Sequence, residues 1–227
     1  MKPYYDQDGI TIYHGDCRTL TRALGWDVLL TDPPYGIGAD RKQAARAGTQ
    51  YGVAAAPSRD YGPVTNWDSS PADSDFLRHL AVKPACIWGG NYFSLPPQSK
   101  WLVWDKQRDD GCYADCELAW TNLRGAVRVF RFRWNGMLQA ASDDGDNRVH
   151  PTQKPVPLMR WCLGLLPPGL VLDPWLGSGS SLIAAKDLGR RAIGIEIEER
   201  YCEIAARRLD QGVLDLAAPR GTPEDQT

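Results

Sequence analysis

The residues best equipped for chemistry are Asp32-Pro33-Pro34-Tyr35, which close the apolar run Val28-Leu29-Leu30. Proline cannot donate to a strand ladder, and each proline pushes the residue before it towards extended backbone, so the strand stops abruptly and its tip is stiff. That tip presents a carboxylate, a backbone carbonyl and an aromatic ring. Asp32 and the Pro33 carbonyl can accept hydrogen bonds from an NH2 group while Tyr35 stacks on a ring, a combination that suits a flat, amino-bearing group. Taken alone, the four residues read equally as a proline turn capping a strand.

A second stretch narrows the choice. Leu170-Val171-Leu172 runs into Asp173-Pro174-Trp175-Leu176-Gly177-Ser178-Gly179, a helical stretch follows from Ser180, and a strand from Ala192 reaches Glu196. Glycines at such a turn let a ligand approach the backbone at a helix N-terminus, and the acid at the next strand tip is placed to grip a ribose diol. A nucleoside-containing cofactor is the expectation. The dinucleotide fingerprint wants a further glycine where this chain has Leu182, and a turn opening with an acid and a proline suits a pyrophosphate poorly. A nicotinamide dehydrogenase is disfavoured on that ground. A cofactor carrying an ammonium group, such as S-adenosylmethionine, fits better.

These sites need a scaffold, and the pattern supplies one. Strands are expected at Ile10–Tyr13, Val28–Thr31, Ala85–Trp88, Trp101–Trp104, Glu117–Trp120, Val127–Phe132, Leu170–Leu172 and Ala192–Ile197. Helices are expected at Arg18–Leu24, Ser74–Ala81, Val156–Leu166, Ser180–Leu188 and Glu199–Gln211. Strands alternating with helices indicate a mostly parallel, doubly wound α/β sheet, in which ligands bind beyond the carboxyl ends of the strands. Asp16, Asp32, Gly89, Asp105, Asp173 and Glu196 all fall at such ends. Val127–Phe132 alternates apolar residues with arginine, which predicts one core face and one basic face.

The chain of 227 residues reads as one domain over 1–214 with a polar tail at 215–227. The long 36–67 stretch, rich in Gly, Ala and Arg, and the polar 134–149 stretch read as loops, and 36–67, directly after Tyr35, reads equally as a substrate-handling lid or as simple disorder. No segment is apolar enough to span a bilayer, and Met1 to Gly9 lack a signal-peptide core, so a soluble, cytoplasmic protein is expected. The six cysteines are scattered and expected to be reduced; Cys112 and Cys116 lack the further ligands a zinc site needs, so no metal is expected. With net charge -2 and pI near 5.9, binding to a polyanion requires local basic clusters. Arg41, Lys42 and Arg46 form one; Arg124, Arg128, Arg131, Arg133 and Arg148 form another.

Asp32–Tyr35, His150-Pro151-Thr152-Gln153-Lys154-Pro155 and Asp173–Gly179, in that order, resemble the motifs of the beta group of DNA amino-methyltransferases, which act on N6 of adenine or N4 of cytosine. The resemblance runs from Ile10 to Leu209 and implies a Rossmann-like methyltransferase sheet in circularly permuted order, S-adenosylmethionine as cofactor, DNA as partner and a restriction–modification setting. It implies that Asp173, Gly177 and Gly179 line the methionine part of the cofactor, with Trp175 and Ser178 of the same turn also binding it. Thr152, Gln153 and Lys154 would border its amino-acid end, Asp32 would adjoin it, and Glu196 would hold the ribose. Ile197, with Asp16 and Cys17, would lie at the adenine end. Asp32, Pro33, Pro34 and Tyr35 would hold the flipped target base, with the basic clusters on phosphate and the 36–67 and 134–149 stretches as DNA-handling loops. The Asp at position 32 resembles the adenine enzymes, where the cytosine enzymes more often begin with Ser. RNA or glutamine-amide methyltransferases remain alternatives, although their cofactor motif normally comes first; a non-catalytic binding module is a further one. Trp175, Ser180 and Ser181 depart from the family's usual Phe and Thr. The target-recognition region is minimal, and a second subunit is one way to supply it, so either a monomer or a homodimer is expected.

Overall fold

A computed structural model describes residues 1–38, 68–107, 114–135, 138–139 and 153–214. The strands are β1 (Tyr5–Gln7), β2 (Ile10–His14), β3 (Val28–Thr31), β4 (Ala85–Trp88), β5 (Trp101–Asp105), β6 (Cys116–Thr121), β7 (Arg128–Arg131), β8 (Trp134–Asn135), β9 (Leu138–Gln139), β10 (Val171–Asp173) and β11 (Ala192–Glu196). The helices are α1 (Cys17–Leu20), α2 (Ser74–Leu80), α3 (Val156–Leu165), α4 (Ser180–Asp187) and α5 (Glu199–Leu214), with a 3-10 turn at Gly90–Tyr92.

Nine strands form one sheet in the order β1-β2-β11-β10-β3-β4-β6-β5-β7. The five from β2 to β4 are mutually parallel; β6 runs antiparallel to both β4 and β5, and β7 is parallel to β5. Every residue of β3, β4, β10 and β11 is buried, which is how strands covered on both faces read in a sequence. Alternate side chains feed two cores. Val28, Leu30, Cys86 and Trp88 pack with α3, α4 and α5 on one face. Leu29, Ala85, Ile87, Leu172 and Ile195 pack with Trp26, Leu77 and Leu80 on the other. Each fully buried leucine here contributes about 1.5–3 kcal/mol by leaving water.

The chain order is permuted relative to the sheet. From β3 the chain crosses through α2 to β4 on one side, and from β10 through α4 to β11 on the other. Although 142 positions separate Thr31 from Asp173, β3 and β10 pair directly, with Val28 opposite Val171 and Leu29 opposite Leu172. The first long strand, β2, completes this wing from the other end of the chain by pairing with β11 along its full length. Between β10 and β3 the winding reverses, and a crevice opens beyond the strand ends at such a point.

Several expectations need correction. β1 lies in the polar stretch before Gly9, where no strand is expected; it pairs antiparallel with β2 through Tyr5 opposite Ile12. The helix expected at Arg18–Leu24 is a single turn, Cys17–Leu20, capped by the Asp16 side chain, which accepts from the Arg18 amide at 2.9 Å. The final helix runs on to Leu214 rather than stopping at Gln211. Within the stretch read as a loop over 134–149, β8 and β9 form a small antiparallel pair. The two-faced reading of Val127–Phe132 fails at the edge of the sheet. Val127 and Val129 are 48% and 45% exposed, and Phe130 faces the core beside Trp161. With a period of two, Arg128 shares its face with Phe130 and Arg131 shares its face with Val129, so the arginines divide between both sides. Beyond Gly38, the 36–67 loop lies outside the described residues, as do 140–152 and the 215–227 tail.

Candidate active site

The two candidate stretches meet. One cavity of about 520 Å³ is lined by Asp32 and Pro34 from the β3 tip and by Asp173 to Ser178 from the β10 tip. Glu196 and Ile197 close it beyond β11, Gly15 to Arg18 beyond β2, and Gln153 and Lys154 from the segment before α3. Strand pairing alone sets these tips side by side. Thr31 Oγ1 then ties them together by donating to Asp173 Oδ1 at 2.8 Å.

Asp173 is buried, and Ser181 at the start of α4 donates to its second oxygen. Burial pushes its carboxyl up to about 6 against the pull of Ser181, Thr31 and the Trp175 amide. Glu196, also raised by burial, accepts from the Gly177 amide at 2.8 Å and the Glu198 amide at 2.9 Å, which fixes the turn and the acid together. Trp175 lines the cavity and sets its ring edge-on to Phe76. Ile197 is 60% exposed, an apolar side chain left open at the rim beside Glu196. Asp16 caps α1 and pairs with Arg18 at 2.7 Å, and the neighbouring Cys17 thiol is pushed up to about 12 by burial, a neutral wall rather than a nucleophile.

Gly179 is the exception among the turn residues, because it does not line the cavity. Its φ is +87°, and a Cβ there would sit 2.8 Å from the Ala205 methyl, so this glycine serves the close packing of the turn on α5. Leu182, at the position where a dinucleotide turn wants glycine, is fully buried in the core.

At the other tip, Asp32 Oδ1 accepts from the Tyr35 hydroxyl at 2.5 Å and Asp32 Oδ2 meets Lys154 Nζ at 2.6 Å. Burial raises the Asp32 carboxyl and the Lys154 charge opposes it. Tyr35 does not line the cavity; its ring stacks on Tyr92 at 4.8 Å and 12° and meets Phe93 edge-on. Gly89, at the end of β4, makes this possible: a Cβ there would fall 2.0 Å from the Tyr35 ring, and its φ is +68°. The loop is pinned from behind, where Pro34 accepts from the Ala72 amide at 2.9 Å and the Gly36 amide donates to Asp68 at 2.7 Å.

Two lysines and a glutamate that carry no motif signal of their own, or only part of one, complete the cluster. Glu117 meets Lys106 at 2.6 Å and Lys154 at 3.1 Å. Burial alone would raise the Glu117 carboxyl, but the two ammonium groups carry it down to about 2. Glu117 is hidden from a motif search because β6 runs antiparallel, so its first residues, not its last, stand at the carboxyl end of β4.

The arginines divide. Arg131, paired with Asp105 at 3.4 Å, and Arg133, donating to the Gln107 carbonyl at 3.1 Å, stand at the cavity end of the sheet. Arg128 lies along β7, opposite Leu102. Arg124 sits in the turn from β6 to β7, two residues after Asn122, whose side chain accepts from the Ala85 amide at the start of β4; this is the opposite end of the sheet. Arg41, Lys42, Arg46, Arg148 and Thr152 lie outside the described residues. Among the described residues, no group of three or more His, Cys, Asp or Glu could hold a metal ion, and no helix is long and apolar enough to cross a membrane.

A parallel sheet whose winding reverses at an acid-lined crevice, extended by an antiparallel strand, is a Rossmann-like methyltransferase fold. The comparisons carry this further. A family model described as DNA methylase, of the N6/N4 type, matches residues 96–207, a span that includes His150–Pro155 and Asp173–Glu196. The Type II methyltransferase M.ScaI of Streptomyces caespitosus is 24% identical over 273 aligned residues, covering 95% of this chain and 86% of that protein. The solved structure of the PvuII DNA methyltransferase (cytosine-N4-specific) shares the fold at TM-score 0.55 and 16% identity, covering 95% of this chain and 93% of that one. The M1.HpyAVI–SAM complex shares it at TM-score 0.50 and 21% identity, covering 88% and 99%. These matches support a DNA amino-methyltransferase of the beta group, whose members modify N6 of adenine or N4 of cytosine.

Proposed function

We propose that this protein transfers the methyl group of S-adenosylmethionine to the exocyclic N6 of adenine in DNA, with the target base flipped out of the helix, and that residues 1–214 form one catalytic domain. The observation that carries the reading is that Asp32 and Pro34 share one cavity with Asp173 and Glu196, on neighbouring strand tips. The donor set fits the cofactor. Asp173 is a buried acid suited to an ammonium, Glu196 an acid held rigidly by backbone amides and suited to a ribose diol, and Ile197 an apolar rim suited to a purine.

When bound, the cofactor supplies an electrophilic methyl on a sulfonium. The residues of this chain do the rest. An aromatic amine is a poor nucleophile because its lone pair is delocalised into the ring. Asp32 and the Pro33 carbonyl accept its two hydrogens, which favours the pyramidal form with the lone pair free. Positive charge then develops next to the Asp32 carboxylate, and acceptors fixed in advance at such a point lower the barrier. Asp32 or water takes the proton that leaves. Base flipping costs a few kcal/mol, and an aromatic contact returns about 1–3 kcal/mol. Tyr35 supplies that contact only by turning its ring from Tyr92 towards the incoming base.

The test is to incubate the protein with labelled S-adenosylmethionine and DNA, RNA or peptide, and to identify the modified base after digestion. N6-methyladenine in DNA is expected, and Asp32→Ala should lower its formation at least about 100-fold with cofactor binding intact. N4-methylcytosine as the product overturns the choice of adenine. No transfer to DNA overturns the assignment.

A further inference from the structure

Glu117 belongs to no motif and has no part in the transfer set out above, yet it holds two lysines. Its Oε1 lies 2.6 Å from Lys106 Nζ and its Oε2 lies 3.1 Å from Lys154 Nζ. Lys154 lies in turn 2.6 Å from Asp32 Oδ2 and 3.2 Å from the Tyr35 hydroxyl. The Lys154 side chain is 5% exposed, so protein groups rather than water must meet its charge. One ammonium is therefore divided between two carboxylates, of which only Asp32 lines the cavity.

The division bears on the chemistry because Lys154 competes for the same oxygens as an incoming amine. A carboxylate offers about four lone-pair positions. Tyr35 and Lys154 already take one on each Asp32 oxygen. An ammonium bound to Asp32 alone would draw more of its charge and weaken it as an acceptor. We infer that Glu117 is a positioning residue, which holds Lys154 from the side away from the cavity and so keeps Asp32 available to the exocyclic amine and to the proton that leaves it. This rests on the reading of Asp32 as the amine acceptor.

The charged and titratable neighbours fix the direction of the test. Asp32 faces Lys154, Tyr35, Glu117 and, across the strand pair, Asp173. Glu117 faces Lys154 and Lys106, and Tyr35 faces Tyr92. Glu117→Gln removes a negative neighbour of Asp32 and leaves Lys154 one carboxylate partner, and both changes make Asp32 a weaker base. Lys106→Met has the opposite sign, because Glu117 then holds Lys154 more strongly.

In Glu117→Gln, methyl transfer at saturating cofactor and DNA should fall about tenfold. The acid limb of its pH–rate profile should move to lower pH while cofactor Kd stays unchanged. Carboxyl-carbon NMR of the unliganded protein, assigned with Asp32→Asn, should show Asp32 titrating at lower pH in Glu117→Gln and at higher pH in Lys106→Met. If Glu117→Gln does not fold, Lys106→Met carries the test alone. A rate loss with the acid limb and the Asp32 titration both unmoved makes Glu117 merely structural and overturns the inference. A wild-type protein that transfers no methyl to DNA overturns the functional reading instead, and the substrate-free titration still decides whether Glu117 tunes Asp32.

Discussion

In the proposed reaction Asp173 has two roles that pull against each other. It must be buried to bridge the β3 and β10 tips through Thr31, and it must be ionised to hold an ammonium. Its carboxyl, pushed up to about 6 from 3.8, records the conflict. The sign for folding follows from linkage. The folded state binds this proton more tightly than the unfolded chain, so the stability it contributes is fully present below 3.8 and lost as pH rises through about 6. For cofactor binding the sign is reversed, because a nearby ammonium favours the ionised form. Isothermal titration at several pH values should show proton release on binding near pH 6, with affinity falling by up to about tenfold per unit below it. Glu196 is raised as well and adds to the slope, so Asp173→Asn should flatten the dependence without abolishing it. An affinity independent of pH across this range would remove Asp173 from the ammonium site.

Tyr35 owes its place to elements rather than to its own loop. Its ring lies over Gly89 at the end of β4 and against Tyr92 in the 3-10 turn, so two strand ends and a turn must agree before Asp32 acquires its hydroxyl partner. Gly89→Ala would put a methyl 2.0 Å from the ring, at a φ of +68° where alanine is strained. It should cost about 1–3 kcal/mol of stability, read by chemical denaturation. It should also cut methyl transfer at least about tenfold while leaving cofactor binding near wild type, because the acceptor tip moves and the Asp173 tip does not. Gly89 was visible in the sequence as a strand end, but its partner was not. The meeting of the two tips was legible, because four short buried runs, three of them ending in an acid at Asp32, Asp173 and Glu196, read as the parallel centre of a sheet. What escaped had no periodic apolar signal. β1 buries only Tyr5 of its three residues, and α1 is four residues held by one cap. The faces of β7 were misread because an edge strand leaves valines exposed that a central strand would bury. Glu117 escaped for a topological reason: nothing local in Cys116–Thr121 says that this strand runs against its neighbours.

A chain of net charge -2 cannot draw in a polyanion by its overall field, so affinity for DNA must come from where the charges sit. The described sheet is asymmetric in this respect. Arg131 and Arg133 stand at the end where the cavity opens, each held only at its margin by Asp105 or the Gln107 carbonyl, whereas Arg124 is exposed at the far end. A duplex delivering a flipped base to Asp32 from the cavity end would approach the first pair and leave Arg124 at the far end of the sheet. Arg131→Ala combined with Arg133→Ala should therefore weaken DNA binding and reduce the slope of log Kd against log salt by about two, measured by fluorescence anisotropy across a salt series. Arg124→Ala should leave both affinity and slope unchanged, and neither variant should alter cofactor binding. Equal losses from Arg124→Ala and from the paired variant would mean that DNA wraps the sheet edge instead of docking on the cavity end. The arginines on β7 would then have to be assigned by strand face rather than by distance from the site.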